Sequence, residues 1–219
     1  MCGRFSQTKS KQDIKKRFNV KKVAEEVTPL FNIAPDLNIP VILNETQDEV
    51  SLAHWGLIPS WAKEEKTQYS MINARAETLL EKPAYKRLIK SKRCLIIADS
   101  FYEWKKVDEK KHPFRIMLKD DNVFAFAGLW DLWEKDDKHI LSCSIITTSP
   151  NKLCSNIHDR MPVILPKEAE KEWLSDIPAE RAIELLKPYD EEAMKCYEIS
   201  LKVNNPTNNS EDILEPIVK

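Results

Sequence analysis

The stretch from residue 93 to 148 constrains the fold more than any other part of the chain. RCLIIADSFYEWKKV, HPFRIMLK, NVFAFAGLW and HILSCSIITT follow one another as short apolar runs at regular spacing. Runs of this kind predict strands, and strands in unbroken succession predict a largely antiparallel sheet. Helical patterns flank them. TKSKQDIKKRF (8–18) reads as a short amphipathic helix with Ile14 and Phe18 inward, AETLLEKPAYKRLIKSKR as a helix interrupted near Pro83, and PKEAEKEWLSD and PAERAIELLKPY as later helices. VTPLFNIAP and IPVILNET are extended, DEVSLAHWGLIP alternates as a strand into a turn, and KCYEISLKV is a last strand. The expected class is therefore α+β, with a barrel-like β core and flanking helices. With no repeat or linker to divide it, the chain reads as a single domain over 1–219, with a core over 2–203 and a turn-rich C-terminal tail over 204–219.

Composition narrows the function classes. The 42% hydrophobic and 32% charged content is that of a soluble globular protein. No run approaches the roughly 20 apolar residues of a membrane helix, and MCGRFSQTKSKQ lacks a signal-peptide core, so no membrane partner and a cytoplasmic location are expected. Five cysteines, at 2, 94, 143, 154 and 196, show no C-x-x-C pair, which argues against a disulfide framework or a metal site. Cys94, Cys143, Cys154 and Cys196 read as structural; Cys2 alone has no obvious packing role. The net charge of −1 conceals a split, with +7 over residues 1–120 and −8 over 121–219. That permits a local basic face for an anionic partner, or an uneven solvated surface. Of only three glycines, Gly3 fits a close approach to a substrate, and Gly56 and Gly128 fit turns at strand ends.

Met1 precedes a small residue, the context in which an initiator is removed; Cys2 would then carry a free α-amine beside its thiol. Further along, polar residues lie inside apolar surroundings. In MINARAET, Asn73 and Arg75 alternate on one face; the arginine suits either a phosphate or a carboxylate at the core rim. In ADSFYEW, Glu103 stands between Tyr102 and Trp104, placed for acid–base chemistry if desolvated, or simply exposed on an edge strand. His158-Asp159-Arg160 precedes an apolar strand, and HWGLIPSWAK sets Trp55 and Trp61 around a turn, as core residues or as base-stacking ones.

In order and wording MCGRF, FNIAP, WGLIPSWA, MINARAET, CLIIADSFYEW, AFAGLW, IHDRMPVIL and VNNP resemble the SOS-response-associated peptidase family over nearly the whole chain. The resemblance implies covalent crosslinking to abasic sites in single-stranded DNA, without metal or cofactor. A monomer is the default expectation, in the cytoplasm and joined to the bacterial nucleoid when bound to DNA. The resemblance also implies catalytic roles for Cys2, Asn73, Glu103 and His158. Asn73 would position the Cys2 amine, Glu103 would shuttle protons, and His158 would polarise the sugar oxygen. DNA contacts would come from Arg4, Asn32, Trp61, Arg75, Arg87, Thr147 and Arg160. Ile97, Ser100 and Asp36-Leu37 depart from the family's usual Pro, Gly and Thr-Gln, which bears on DNA contacts and on the loop near Glu103.

The chemistry is coherent. An α-amine has an ordinary pKa of about 7.7–8.0, so part of it is neutral near pH 7 and attacks an aldehyde. The thiol two carbons away then closes a thiazolidine. The family name also implies peptidase activity, read here as self-processing that removes Met1. Two other readings use the same residues. Glutamine amidotransferase domains also begin Met-Cys-Gly and use the cysteine as an acyl nucleophile, and a non-catalytic single-strand binder needs only the basic and aromatic residues.

Overall fold

The computed structural model describes residues 2–65 and 71–217. In chain order, β1 is Phe5–Gln7, α1 Lys11–Phe18, β2 Lys22–Val23, β3 Leu30–Ile33, β4 Asn38–Leu43, β5 Glu49–Trp55 and β6 Asn73–Arg75. Then come α2 Pro83–Lys86, α3 Leu88–Ser91, β7 Arg93–Ala98, β8 Ser100–Val107, β9 Lys110–Leu118, β10 Phe124–Lys135 and β11 Lys138–Thr148. The remainder is α4 Lys152–Ser155, β12 Met161–Pro162, β13 Ile164–Leu165, α5 Lys167–Leu174, α6 Ala179–Glu184 and β14 Met194–Glu198. No helix among the described residues is long and apolar enough to cross a membrane.

The strands close a ring. β10 pairs antiparallel with both β11 and β7, β7 with β4, and β4 with β5. β5 then returns to β11 in parallel, Ser142 opposite His54 and Cys143 opposite Trp55. The result is the α+β architecture with a barrel core that the strand succession predicts. Side chains alternate strictly between its two faces. Along β7, Cys94, Ile96 and Ala98 point to one core, while Leu95 and Ile97 join the other, with Trp173 and Leu174 of α5 and Leu88 and Ile89 of α3. A second sheet, ordered β14-β9-β8-β1-β3, packs on the first core. Phe5 of β1 meets Trp55 edge-on with centroids 5.0 Å apart, and Phe126 at 5.7 Å.

Helices bind to the outer face through a buried cation. Arg93 has no buried acid beside it; its guanidinium donates to the carbonyls of Trp173 (2.7 Å), Ile89 (2.7 Å), Lys90 (3.1 Å) and Ser175. These carbonyls end α3 and α5, where backbone acceptors lack helical partners, so one side chain caps both helices.

Two expectations change, in the helix over 76–93 and at Gly128. The helix read over 76–93 is a short 3-10 turn at Ala76–Thr78 followed by α2 and α3; Pro83 starts a helix rather than interrupting one, as proline does in a first turn. The C-terminal tail packs back, with Ile213 and Leu214 buried against Tyr102 and Val203. Gly128 lies in mid-strand rather than at a turn. A Cβ there would sit 2.7 Å from Ile96 Cδ1 and 2.8 Å from Cys94 Sγ. Among the glycines only Gly56 takes a positive φ, +147°. Gly128→Ala must therefore displace buried side chains, and a thermal melt should show a loss of about 1–3 kcal/mol.

Candidate active site

β1 lies between β3 and β8. Phe5 faces Phe101 and Ser6 faces Ser100, and Tyr102 N–H donates to the Arg4 carbonyl at 2.9 Å. Continued by two residues, this register sets Gly3 across from Glu103 and brings Cys2 alongside it. Buried hydroxyls lock the pair. Ser6 Oγ hydrogen-bonds Asp99 and Ser100, Thr8 donates to Asp99 from both its N–H and its hydroxyl, and Arg115 Nε donates to Ser100 Oγ at 2.9 Å. Ser100, one of the departures from the family pattern, thus joins a buried network on the strand face opposite Glu103. Cys2 is fully buried. Its thiol points to the Arg4 carbonyl, 3.9 Å away. Burial, and after it the Glu103 charge, push that thiol well above its ordinary pKa.

Glu103 is 4% exposed, which removes the edge-strand alternative. Desolvation by Tyr102 and Trp104 is not the cause. Strand alternation turns those rings to the other face, into the small cluster with Ile199 and Val203. Glu103 shares its own face with Phe101, near Cys2, Cys154 and His158. Burial pushes its carboxyl up to about 7, and the Asp159 charge adds to the rise. His158 Nε2 stands 3.9 Å from Glu103 Oε2. Its Nδ1 accepts the Arg160 backbone N–H at 3.0 Å, with Asp159 Oδ1 also 3.0 Å away; the backbone contact suits the tautomer protonated on Nε2, on the side of the glutamate. Burial holds His158 below its ordinary pKa, against the opposing pull of Asp159. The ring follows α4, whose N-terminus Asn151 caps by accepting from Cys154 N–H at 2.9 Å.

β6 supplies the third side. It pairs in parallel with β11, Asn73 opposite Ile145 and Arg75 opposite Thr147. Asn73 Nδ2 donates to the Cys2 carbonyl at 2.8 Å, and Tyr85 OH donates to the Asn73 carbonyl at 3.2 Å. Asn73 Oδ1 is buried without a partner among the described residues. Cys2, Asn73, Glu103 and His158, from four separate segments, therefore converge.

The residues expected on DNA divide differently. Arg75 is exposed, and its side chain makes no hydrogen bond or ion pair among the described residues. Trp61 is 65% exposed. The others are engaged within the protein. Arg4 Nη1 donates to Asn32 Oδ1 and the Val203 carbonyl, at 2.8 and 2.7 Å. Asn32 is 2% exposed and gives its amide to the carbonyls of Val203, Asn205 and Asn208. Arg160 grips Glu77 with two hydrogen bonds and also bonds the buried Thr147. Arg87 donates to Ser60 Oγ at 2.7 Å. Arg4, Asn32, Thr147 and Arg160 thus build the wall behind the rim. Sequence reasoning passed over Glu77, and over Cys154 beside Glu103. Neither carried a local signal, because each acquires its neighbour only through long-range pairing.

The raised Glu103 carboxyl has a stability signature. The folded state holds this proton more tightly than the unfolded one, so its contribution is full below about pH 4.5 and is lost as pH rises through about 7. Glu103→Gln removes that loss. Above about pH 8 the variant should melt higher than the parent, by up to about 3 kcal/mol, and the difference should vanish in acid. Melting curves across this range check it.

Comparison with known proteins fits this arrangement. A sequence model of the SOS response associated peptidase (SRAP) family matches residues 1–206. The abasic site processing protein YoqW of Bacillus subtilis is 49% identical, over 98% of this chain and 99% of its own. The abasic site processing protein HMCES of Xenopus tropicalis is 31% identical, over 100% of this chain and 79% of its own. A crystal structure of a protein from Bacteroides thetaiotaomicron superposes with a TM-score of 0.92 at 30% identity, covering 99% of this chain and 100% of that one. The chain belongs to the SOS response associated peptidase family.

Proposed function

We propose that this protein captures abasic sites in single-stranded DNA by forming a thiazolidine between the ring-opened sugar and Cys2. The observation that carries the reading is the meeting of a fully buried Cys2 with Asn73 and with a buried Glu103 carboxyl, which burial pushes up to about 7. The relatives' names, abasic site processing protein, point to the same lesion.

The steps follow from the groups present. Removal of Met1, by self-processing or otherwise, frees the Cys2 amine, and the unpartnered Asn73 Oδ1 is an acceptor suited to hold it. The amine attacks the sugar aldehyde to give a carbinolamine, and loss of water leaves a C=N bond. A carboxyl poised near neutrality donates the proton that leaves with that water and then recovers one. The neutral His158, with Nε2–H turned toward Glu103, is a donor for the sugar oxygen. The Cys2 thiol then adds across C=N: sulfur bonds to carbon, and its proton passes by way of Glu103 to the nitrogen. A thiol held protonated by burial needs such a base when it reacts. Held two carbons from the amine, the sulfur also has the advantage of intramolecular attack. Arg75 would meet a flanking phosphate and Trp61 a neighbouring base.

Single-strand oligonucleotides with one abasic site provide the test, read as intact mass and on a denaturing gel. The protein should lack Met1 and form a heat-stable adduct. Cys2→Ala should lose that adduct, and normal yield from this variant would remove Cys2 from the chemistry. Glu103→Gln should slow adduct formation about 10²–10⁴-fold and abolish the rate dependence centred near neutral pH. Ammonia release from glutamine would favour the amidotransferase reading. Reversible binding without an adduct would favour the non-catalytic one. Arg75→Ala should weaken binding and reduce the salt slope by roughly 0.7, the contribution of one phosphate.

A further inference from the structure

The segment that carries Trp61 has no regular structure of its own, yet it is fastened along its length to the β10–β11 hairpin. Ile58 N–H donates to Ser142 Oγ of β11 at 2.9 Å. Ser60 N–H donates to Asp131 Oδ2 of β10 at 2.8 Å. Trp133 Nε1 donates to the Ala62 carbonyl at 2.9 Å, and Lys135 Nζ to the Lys63 carbonyl at 3.0 Å. Asp131 and Ser142 face each other across the hairpin, so two opposed positions in one ladder hold the turn.

Asp131 is the centre of this attachment. It is 1% exposed inside the apolar run AFAGLWDLW. A carboxylate so buried is costly unless charges and hydrogen bonds satisfy it. Here Lys92 Nζ meets Oδ1 at 3.1 Å, and Leu132 N–H donates to the same oxygen at 3.0 Å. Oδ2 takes the Ser60 N–H, and Arg87 Nη2 stands 3.5 Å away while bonding Ser60 Oγ at 2.7 Å. Lys92 is itself held over the Trp130 ring, 4.4 Å from its centroid. Every contact either fixes the carboxylate or passes through it to the residue before Trp61. Such anchoring explains how the most exposed large apolar side chain among the described residues stands on a turn that is not free to collapse onto the surface.

We propose that Asp131 is a positioning residue for nucleic-acid binding: with Lys92 and Arg87 it clamps Ser60 and so presents Trp61 as a preformed stacking platform. Arg87 then acts on the turn and not on a phosphate. The role rests on the reading that Trp61 meets a base, but the clamp itself is measurable without DNA. A preset aromatic ring contributes stacking without the ordering cost of a mobile one.

The test is a double-mutant cycle on undamaged single-stranded oligonucleotide, with amide exchange of the same proteins. Asp131→Asn turns one acceptor oxygen into a donor that must face either Lys92 or the Ser60 N–H. The Ser60 amide should then exchange faster in the free protein. Single-strand Kd should rise by about five- to tenfold with an unchanged salt slope, since stacking is lost and no phosphate contact is. In a Trp61→Ala background the same substitution should change Kd less than about twofold, because coupled residues do not add. Arg87→Met, at an exposed site with less risk to folding, should repeat the pattern. Equal effects of Asp131→Asn with and without Trp61 would overturn the proposal, as would a flattened salt slope for Arg87→Met. If the parent bound no single strand, the function proposed above would fail, while the Ser60 exchange rate would still decide whether the clamp exists; unchanged exchange in both variants would remove it.

Discussion

Closure of the strand ring is the constraint on which the rest depends. The parallel return of β5 onto β11 leaves β4, β7 and β10 covered on both faces. A strand with no solvent face is apolar at nearly every position, so CLIIA and FAFAGLW lose the alternation that usually marks a strand. The same closure explains the close approach at Gly128, where no side chain fits between Ile96 and Cys94. It also explains Arg93, whose charge enters the apolar layer only because helix-end carbonyls wait there as acceptors. The second sheet carries Cys2 on the face it turns to the barrel and Tyr102 on the face that the C-terminal segment covers.

On that sheet, alternation divides labour within four residues. Phe101 and Glu103 face the barrel and the Cys2 thiol, whereas Tyr102 and Trp104 face outward and bind the C-terminal segment. Asn204 accepts from Trp104 Nε1 at 2.7 Å, and Arg4 donates to the Val203 carbonyl, so the VNNP motif closes over the strand pair from behind. The segment that looks like a tail is therefore part of the site's support. Its role is to hold the strands that bear Cys2 and Glu103.

The strand content and its antiparallel character were legible because apolar runs of this spacing have few other fates. The order of the motifs also singled out Cys2, Asn73, Glu103 and His158, which the fold brings together. Faces were not legible. Flanking aromatics suggested a dry environment for Glu103, yet in a strand a residue's sequence neighbours are the side chains it cannot touch. Internal partners were not legible either, for a related reason. A sequence shows that Arg4, Arg87 and Arg160 are cationic, but not that Asn32, Ser60 and Glu77 already occupy them. Gly128 was misplaced because a close contact between paired strands that are far apart in sequence leaves no local mark.

The strand that follows Cys2 is only three residues long, but it is an interior strand of its sheet, with β3 on one side and β8 on the other. Its hydroxyls are tied into Asp99 and Ser100 as well. A load applied through Cys2 runs nearly along that strand. Both ladders and the hydroxyl ties would then be strained together in shear, rather than opened one bond after another as at a free edge. In the crosslink proposed above, Cys2 would then be an anchored end: a pull on a strand joined to it would load the sheet across its width before the chain end paid out.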